Sequence, residues 1–470
     1  MRIECRVRLD HPLAEVAAWH SRPGALTRLT PSLLATVEGQ DRGGIEAGRR
    51  VGARLGPALA GGARPRWLLE HVRAWEGAEG CGFVDAQVSG PWRHWEHTHS
   101  MTPVDGGAAT ELTDVVEVEP PRGLGAGSTV IARQIKRLLA YRARQLRDDL
   151  DFHARYAGRP RLTVAIAGAS GLIGTQLAAA LASGGHRVVP MVRAARAGEG
   201  RIAWDPAAGR LDPADLEGVD AVVNLAGRTI GTRMTARARR EILSSRVSSA
   251  ALIARAAAAL ADSGSGPRTI VQASGIGYYG ARRPGEMLTE ESSAGGGFLA
   301  GVCRAWEAQL QRAADGGVRT CALRTGIVLA ESGGALAPQL PLFLVGLGGR
   351  ITDARAAVSW IALDDMVRAY IHALLTPGLE GAVNAVAPHP ATAGELAATL
   401  GRVLRRPAVI PVPRLGPMAV LGARGADELI HTDQWVSDAR LRGSGFEPAH
   451  PDLEGALRHI LRRSGGCGRP

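Results

Sequence analysis

Three glycines recur at every third position in the run Gly168-Ala169-Ser170-Gly171-Leu172-Ile173-Gly174. Glycines so spaced let a backbone approach a pyrophosphate. A helix opening directly behind them offers unpaired N–H groups and a partial positive charge. Downstream, an apolar run ends at Arg193, with no Asp or Glu at that strand end. An acidic residue there would hold a ribose 2′-hydroxyl, whereas an arginine accommodates a 2′-phosphate. The expected cofactor is therefore NADP, with NAD less favoured. Proton chemistry could come from the run Ser274-Gly275-Ile276-Gly277-Tyr278-Tyr279-Gly280. A phenol near its reference pKa of about 10 is a poor base unless a cation lies beside it; Arg324 is a candidate for that charge. Lys and Arg together number 56, yet only Lys136 is a lysine. Any mechanism that needs a lysine after residue 136 is excluded. Cys303 reads as a small buried hydrophobe rather than a functional thiol.

The elements around these residues follow from periodicity. Leu162–Ala167 is a continuous apolar run, as a parallel strand buried on both faces requires. The glycine turn and a helical pattern through Ala182 follow it, so the turn has the right element on each side. Arg187–Val192, Asp220–Gly227 and Thr269–Ala273 read as further strands. The linker Ala157-Gly158-Arg159-Pro160 separates this part from a first segment of different pattern. There, Arg2–Asp10 alternates as a half-buried strand, and a short helix follows with Val16 and Trp19 inward. Strands are expected at Trp67–Trp75, Gly82–Val88, Trp92–Met101 and Ala109–Glu119. A long helix runs from Ser128, its expected N-cap, to Tyr156, with Ile131, Ile135, Leu138, Leu139, Leu146 and Leu150 as its apolar stripe. An antiparallel sheet under one long helix is a helix-grip arrangement, and a curved sheet would leave a pocket between them.

Within that first segment stand His94, His97 and His99. On a strand the last two share a face and His94 takes the other. A His-x-His pair can hold a metal, with Asp114 as a possible third ligand. The preferred reading is polar lining of a cavity beside Trp95, or a packed sheet face, and no metal is expected.

The 470 residues suggest about three domains at roughly 150 residues each. With 45% hydrophobic and 21% charged residues the chain is globular rather than disordered. No run of about 18 apolar residues exists, so no membrane span is expected, and the first residues read as a strand rather than a signal peptide. Cys5, Cys81, Cys303, Cys321 and Cys467 are odd in number and far apart, which points to a reducing cytoplasm rather than a disulfide framework or zinc site. The charge of +11 is scattered arginine without interleaved aromatics, so no nucleic-acid partner is expected.

Two resemblances add to this. Trp19-His20-Ser21-Arg22-Pro23-Gly24-Ala25-Leu26, Gly90-Pro91-Trp92 and Trp95-Glu96-His97-Thr98-His99 resemble the START-like lipid and polyketide-cyclase superfamily over most of residues 1–155, within a first domain expected at 1–157. That resemblance implies a cavity for a hydrophobic ligand. The Gly-x-x-Gly-x-x-Gly spacing resembles the short-chain dehydrogenase/reductase superfamily. Phe298-Leu299-x-x-Val302-Cys303-x-x-Trp306-Glu307, with Val223–Gly227, Ser245–Val247, Leu323–Leu329 and Ser359–Ile361, resembles its atypical epimerase-like subfamily over 161–461, small C-terminal subdomain at about 405–461 included.

The second resemblance implies that Gly168, Ser170, Gly171, Leu172, Ile173, Gly174, Arg193, Leu225, Ala226, Gly227 and Arg324 bind the cofactor, with Asn224 at its adenine and ribose side. It implies that Ser274, with Tyr278 or Tyr279, carries the catalysis. It also exposes a departure. Where the superfamily has a catalytic Tyr-x-x-x-Lys helix, this chain has Leu299 and Cys303. The expectation is an α/β protein: an N-terminal helix-grip domain, then a Rossmann-like doubly wound sheet with a smaller substrate lobe. Its function is read as an NADP-dependent oxidoreductase or epimerase-like enzyme on an unknown small molecule, with a homodimer left open. The rival is a non-catalytic NADP(H) or ligand sensor, which the missing Tyr and Lys favour.

Overall fold

The computed structural model describes residues 1–39, 42–56, 64–123, 128–193, 198–413 and 415–464. The chain forms two units. One comprises Met1–Arg159 with Ala179–Gly185 and the segment from Leu461; the other comprises Pro160–Ala178 and His186–Ile460.

The first unit is a seven-stranded antiparallel sheet. Its strands are β1 (Arg2–Leu9), β2 (Ala35–Val37), β3 (Arg50–Leu55), β4 (Arg66–Gly77), β5 (Gly80–Ser89), β6 (His94–Val104) and β7 (Ala109–Glu119), in the order β1-β7-β6-β5-β4-β3-β2. Helices α1 (Leu13–Ser21) and α2 (Ala25–Leu29) follow β1, and α3 (Ser128–Ala154) closes the unit. Two strands that sequence reading passes over, β2 and β3, complete the sheet. The first spans only three residues, and the second, Arg-Val-Gly-Ala-Arg-Leu, has no clean alternation. Strand β6 starts at His94 rather than Trp92, because the Gln87 amide binds both the N–H and the carbonyl of Trp92 and holds it in the preceding turn. Ser128 is the first residue of α3, not the residue before it.

The α3 stripe divides in two. Ile135, Leu139, Leu146 and Leu150 are buried, each contributing about 1.5–3 kcal/mol of apolar burial. Ile131 and Leu138 are half-buried and line a cavity of about 580 Å³ bounded by sheet and helix. Arg28 and Asp149 form a buried bidentate pair at 2.8 and 2.8 Å, to which Gln145 adds a third hydrogen bond on the carboxylate.

The second unit is built on seven parallel strands: β8 (Thr163–Ala167), β9 (Arg187–Arg193), β10 (Ile202–Trp204), β11 (Ala221–Asn224), β12 (Thr269–Gly275), β13 (Arg319–Thr325) and β14 (Gly381–Ala385). Their order is β10-β9-β8-β11-β12-β13-β14, a Rossmann-like doubly wound sheet. The connecting helices include α4 (Leu172–Ser183), α5 (Ala236–Ala259), α6 (Phe298–Glu307) and α7 (Leu363–Leu375). The apolar runs 164–167 and 221–223 are buried to the last residue, as strands covered on both faces must be. A smaller four-stranded sheet joins Arg282–Leu288, Asp433–Val436, Ala357–Val358 and Ala391–Thr392. Through Asp433–Val436 the C-terminal stretch is paired to the middle of the chain.

No helix among the described residues is long and apolar enough to cross a membrane. Cys81, Cys303 and Cys321 are free and buried. Cys5 is disulfide-bonded, against the expectation of thiols throughout; separation along the chain does not fix separation in space. Cys467 lies outside the described residues.

Candidate functional site

The order of the main sheet reverses between β8 and β11, which pair in parallel with Ala167 opposite Asn224. In such sheets the crevice for a ligand opens beyond the carboxyl ends of the strands at that reversal. The glycine turn sits there. Gly168 has φ +84°, and a Cβ on it would lie 2.9 Å from the Leu225 carbonyl carbon. A Cβ on Gly174 would lie 2.2 Å from the Gly168 oxygen. Both positions therefore exclude a side chain, whereas a Cβ on Gly171 would meet the same oxygen at 3.3 Å. The first intrahelical bond of α4 runs from the Thr175 N–H to the Gly171 oxygen at 2.9 Å. The amides of Leu172, Ile173 and Gly174 thus belong to the first turn, where N–H groups have no helical acceptor. Ser170 is exposed at the tip.

Leu225 donates its N–H to the Ala167 oxygen at 2.9 Å, which ties the 225–227 turn to the end of β8. Asn224 is fully buried beneath it. Its Oδ1 accepts the Ala226 N–H at 3.2 Å, and its Nδ2 donates to Gln272 at 3.4 Å and to Ser249 at 3.5 Å. Asn224 therefore shapes the turn from below and is sealed from any ligand above it. Arg193 is the last residue of β9, the strand next to β8, and is exposed. It forms no ion pair among the described residues.

Beyond β12 lies a second polar group. The Ser274 hydroxyl donates to Glu307 Oε1 at 2.6 Å. Arg324 meets the same carboxylate twice, Nε to Oε1 at 3.0 Å and Nη2 to Oε2 at 2.9 Å. Its Nη1 donates to the Tyr279 hydroxyl at 3.0 Å and to the Glu290 carbonyl at 3.3 Å. Four of the five guanidinium donors are thus used inside the site, and the guanidinium carbon stands 3.4 Å from the centre of the Tyr278 ring. The ion pair is buried, with side-chain exposures of 4% and 15%. Burial disfavours loss of the proton from Tyr279 and raises its pKa, although Arg324 pulls the other way. The Tyr279 hydroxyl donates to Asn384 Oδ1 at 2.7 Å, and the ring is wholly buried. Tyr278 is half-buried, and its hydroxyl makes no hydrogen bond among the described residues.

Of the residues singled out by sequence, the structure brings Ser274, Tyr278, Tyr279 and Arg324 together. Glu307, which sequence reading used only to set the register of α6, is the hub that joins them. The fold places Arg324 among these residues and spends its donors there. Cys303 sits beneath, its Sγ 3.6 Å from the Gly275 oxygen, and burial pushes the thiol up to about 11. It is therefore a thiol and not a thiolate at neutral pH. Arg246, part of the Ser245–Val247 stretch, also reaches this region. It stacks over the Trp306 ring at 5.0 Å, and a Cβ on Gly227 would lie 3.1 Å from its guanidinium carbon.

Residues 164–385 match the family model described as NAD dependent epimerase/dehydratase family, and residues 412–460 match a domain of unknown function (DUF1731). Epimerase family protein MT2273 of Mycobacterium tuberculosis is 40% identical over 303 residues, 64% of this chain and 98% of that protein. The chain belongs to the NAD-dependent epimerase/dehydratase family. Human epimerase family protein SDR39U1 is 34% identical over 305 residues, 64% of this chain and 100% of the human protein. A crystal structure of its isoform 2 with NADPH matches at a TM-score of 0.57 and 33% identity, covering 64% of this chain and 99% of that one. The nucleoside-diphosphate sugar epimerase of Corynebacterium glutamicum matches at a TM-score of 0.80 and 30% identity, covering 98% of this chain and 90% of that one. The helix α6 presents Leu299 and Cys303 and contains no lysine.

Proposed function

We propose that this chain is an NADP(H)-dependent oxidoreductase or epimerase-like enzyme acting on a small molecule. The observation that carries the cofactor is Arg193, exposed and unpaired among the described residues, at the end of the strand beside the glycine turn. The turn itself fits a pyrophosphate, because two of its three glycines stand where a Cβ would collide with backbone. The human relative solved with NADPH supports the same nucleotide. Gly168, Ser170, Gly171, Leu172, Ile173 and Gly174 would hold the pyrophosphate, Arg193 the 2′-phosphate, and Leu225, Ala226 and Gly227 the adjoining ribose. When bound, the nicotinamide supplies or takes up a hydride.

The chain's own residues then divide the proton work. Ser274 carries a proton on Oγ and shares it with Glu307, so it can orient an oxygen of the substrate. Arg324 gives Glu307 a fixed counter-charge in a dry setting. Tyr278 lies with its ring on that guanidinium and its hydroxyl unengaged, which makes it the phenol available for proton exchange. Tyr279 is enclosed between Arg324 and Asn384 and serves to position Arg324. Arg324 in this reading acts on Glu307 and the tyrosines rather than on the nucleotide. The first unit, in turn, is read as a START-like module whose cavity takes a hydrophobic ligand.

The test is calorimetric titration of the full chain with NADPH, NADP+, NADH and NAD+. A charge-assisted contact of about 1.5–3 kcal/mol corresponds to about 10- to 150-fold. Arg193→Ala is expected to weaken NADPH by at least about tenfold and leave NADH little changed. Equal loss for both nucleotides refutes the assignment. Leu299 and Cys303 on α6 favour a second reading, a non-catalytic NADP(H) sensor; tight binding with no turnover of any co-purifying metabolite would select it.

A further inference from the structure

The histidine pair on β6 is arranged in a way that neither the nucleotide site nor simple packing requires. Register places Asp85 of β5 opposite His97, and Asp114 of β7 opposite His99. Each imidazole therefore lies between two carboxylates. His97 Nε2 is 3.2 Å from Asp114 Oδ1, and His99 Nδ1 is 2.6 Å from the same oxygen. The other two nitrogens, His97 Nδ1 and His99 Nε2, face Asp85 Oδ2 at 3.6 and 3.4 Å. One carboxylate oxygen of Asp85 and one nitrogen from each histidine all lie within 4.8 Å of one another. All four residues are buried, and the two rings are only 3.9 Å apart.

Each imidazole thus directs one nitrogen toward Asp85 and the other toward Asp114. The spacing suits a small tetrahedral cation. Bonds of about 2.0–2.2 Å from one ion place neighbouring ligands about 3.3–3.6 Å apart at tetrahedral angles, and the distances here are 3.4 and 3.6 Å. Asp114 occupies the place of an outer carboxylate beside metal-binding imidazoles, hydrogen-bonded to His97 Nε2 at 3.2 Å and close to His99 Nδ1. The three ligand residues line the cavity of about 580 Å³. So does His71, whose buried Nδ1 has no hydrogen-bond partner among the described residues.

We propose that Asp85, His97 and His99 bind a divalent first-row transition ion of the zinc type, with Asp114 orienting both imidazoles and a coordination position open to the cavity. Two imidazoles and one carboxylate suit such an ion rather than calcium or magnesium, which take oxygen ligands. The open position would accept water or an oxygen of whatever apolar molecule enters. The site is independent of the nucleotide reading and stands if that reading fails.

The experiment uses the full chain stripped with chelator and titrated with Co2+, then Zn2+, following visible absorption and metal content by mass spectrometry. The expected result is saturation at a single equivalent, with Zn2+ displacing Co2+. His97→Ala, His99→Gln and Asp85→Asn should each abolish uptake at that stoichiometry. Asp114→Asn should retain the stoichiometry with affinity lower by about 10- to 100-fold. A second buried group, Asp364, His450 and His459, lies in the other unit; His459→Gln should leave uptake unchanged. The stripped wild-type chain, folded by circular dichroism, taking up no stoichiometric Co2+ or Zn2+ would overturn the proposal whatever the variants do. Uptake that survives His97→Ala and disappears in His459→Gln would overturn it equally.

Discussion

Replacing Glu307 by glutamine keeps the shape of the side chain and removes its charge. The consequence can be worked from the contacts. Arg324 directs Nε and Nη2 at the two carboxylate oxygens, at 3.0 and 2.9 Å, and the guanidinium is 4% exposed. A glutamine must turn its NH2 either toward Nε and Ser274 or toward Nη2, donor against donor. Arg324 is then a buried cation without its counter-charge and with one of its four acceptor contacts gone. Breaking a buried pair by removing one partner costs about 3–5 kcal/mol. At about 2–4 °C per kcal/mol for large domains, the melting temperature should fall by about 6–20 °C. Differential scanning calorimetry of the full chain measures this directly. The companion is the double variant Glu307→Met with Arg324→Met, in which no charge is stranded. It should lose less than the sum of the single losses, because removing both ends of a buried pair spares the desolvation penalty. A fall of under about 1 kcal/mol for Glu307→Gln, or full additivity in the double variant, would show that water reaches the pair and that the hub is not a dry ion pair.

Two further outcomes follow from the same geometry. Gly174→Ala would place a Cβ within 2.2 Å of the Gly168 oxygen; overpacking of this kind costs about 1–3 kcal/mol and deforms the turn. Calorimetry should show nucleotide affinity reduced by at least about tenfold, with Gly171→Ala the milder of the two. His372 is buried in α7 beside Ser444 and Phe446, and burial depresses it from 6.5 to about 4. It is neutral in the fold and protonates more readily when unfolded. Its contribution is therefore complete above about pH 6.5 and is lost as the pH falls toward 4. The loss is at most about 3 kcal/mol. His372→Asn should flatten the drop in melting temperature between those pH values, and an unchanged slope would count against it.

The parts of the molecule legible in one dimension are those whose pattern is local. The strands β8 and β11 read as unbroken apolar runs because both faces are covered, and α6 coincides with the expected helix from Phe298 to Glu307. The glycine turn was legible because close approach leaves glycine as the residue that fits. Pairings across the sheet were not. Glu307 and Arg324 are 17 positions apart on different elements, and nothing in their spacing marks them as partners. Asp114 was anticipated as a neighbour of His97 and His99, and it stands opposite His99 in the pairing of β6 with β7. Asp85 went unnoticed because its position opposite His97 depends on the register of β5 against β6, which a sequence does not display. The two tyrosines looked equivalent side by side. Burial separates them, since one is sealed against Asn384 and the other is half-exposed beside the guanidinium.

The absence of lysine from the second unit has a consequence for how the site meets changes in acidity. A lysine ammonium can give up its proton within the range where proteins survive, and an active site that leans on one is switched off as alkalinity rises. A guanidinium in this setting does not, and its contacts with Glu307 and Tyr279 hold its proton more firmly still. The positive potential felt by the tyrosines is thus a constant of the fold rather than a variable of the medium. Only the hydroxyl, phenol and carboxylate groups remain to exchange protons, against a fixed electrical background.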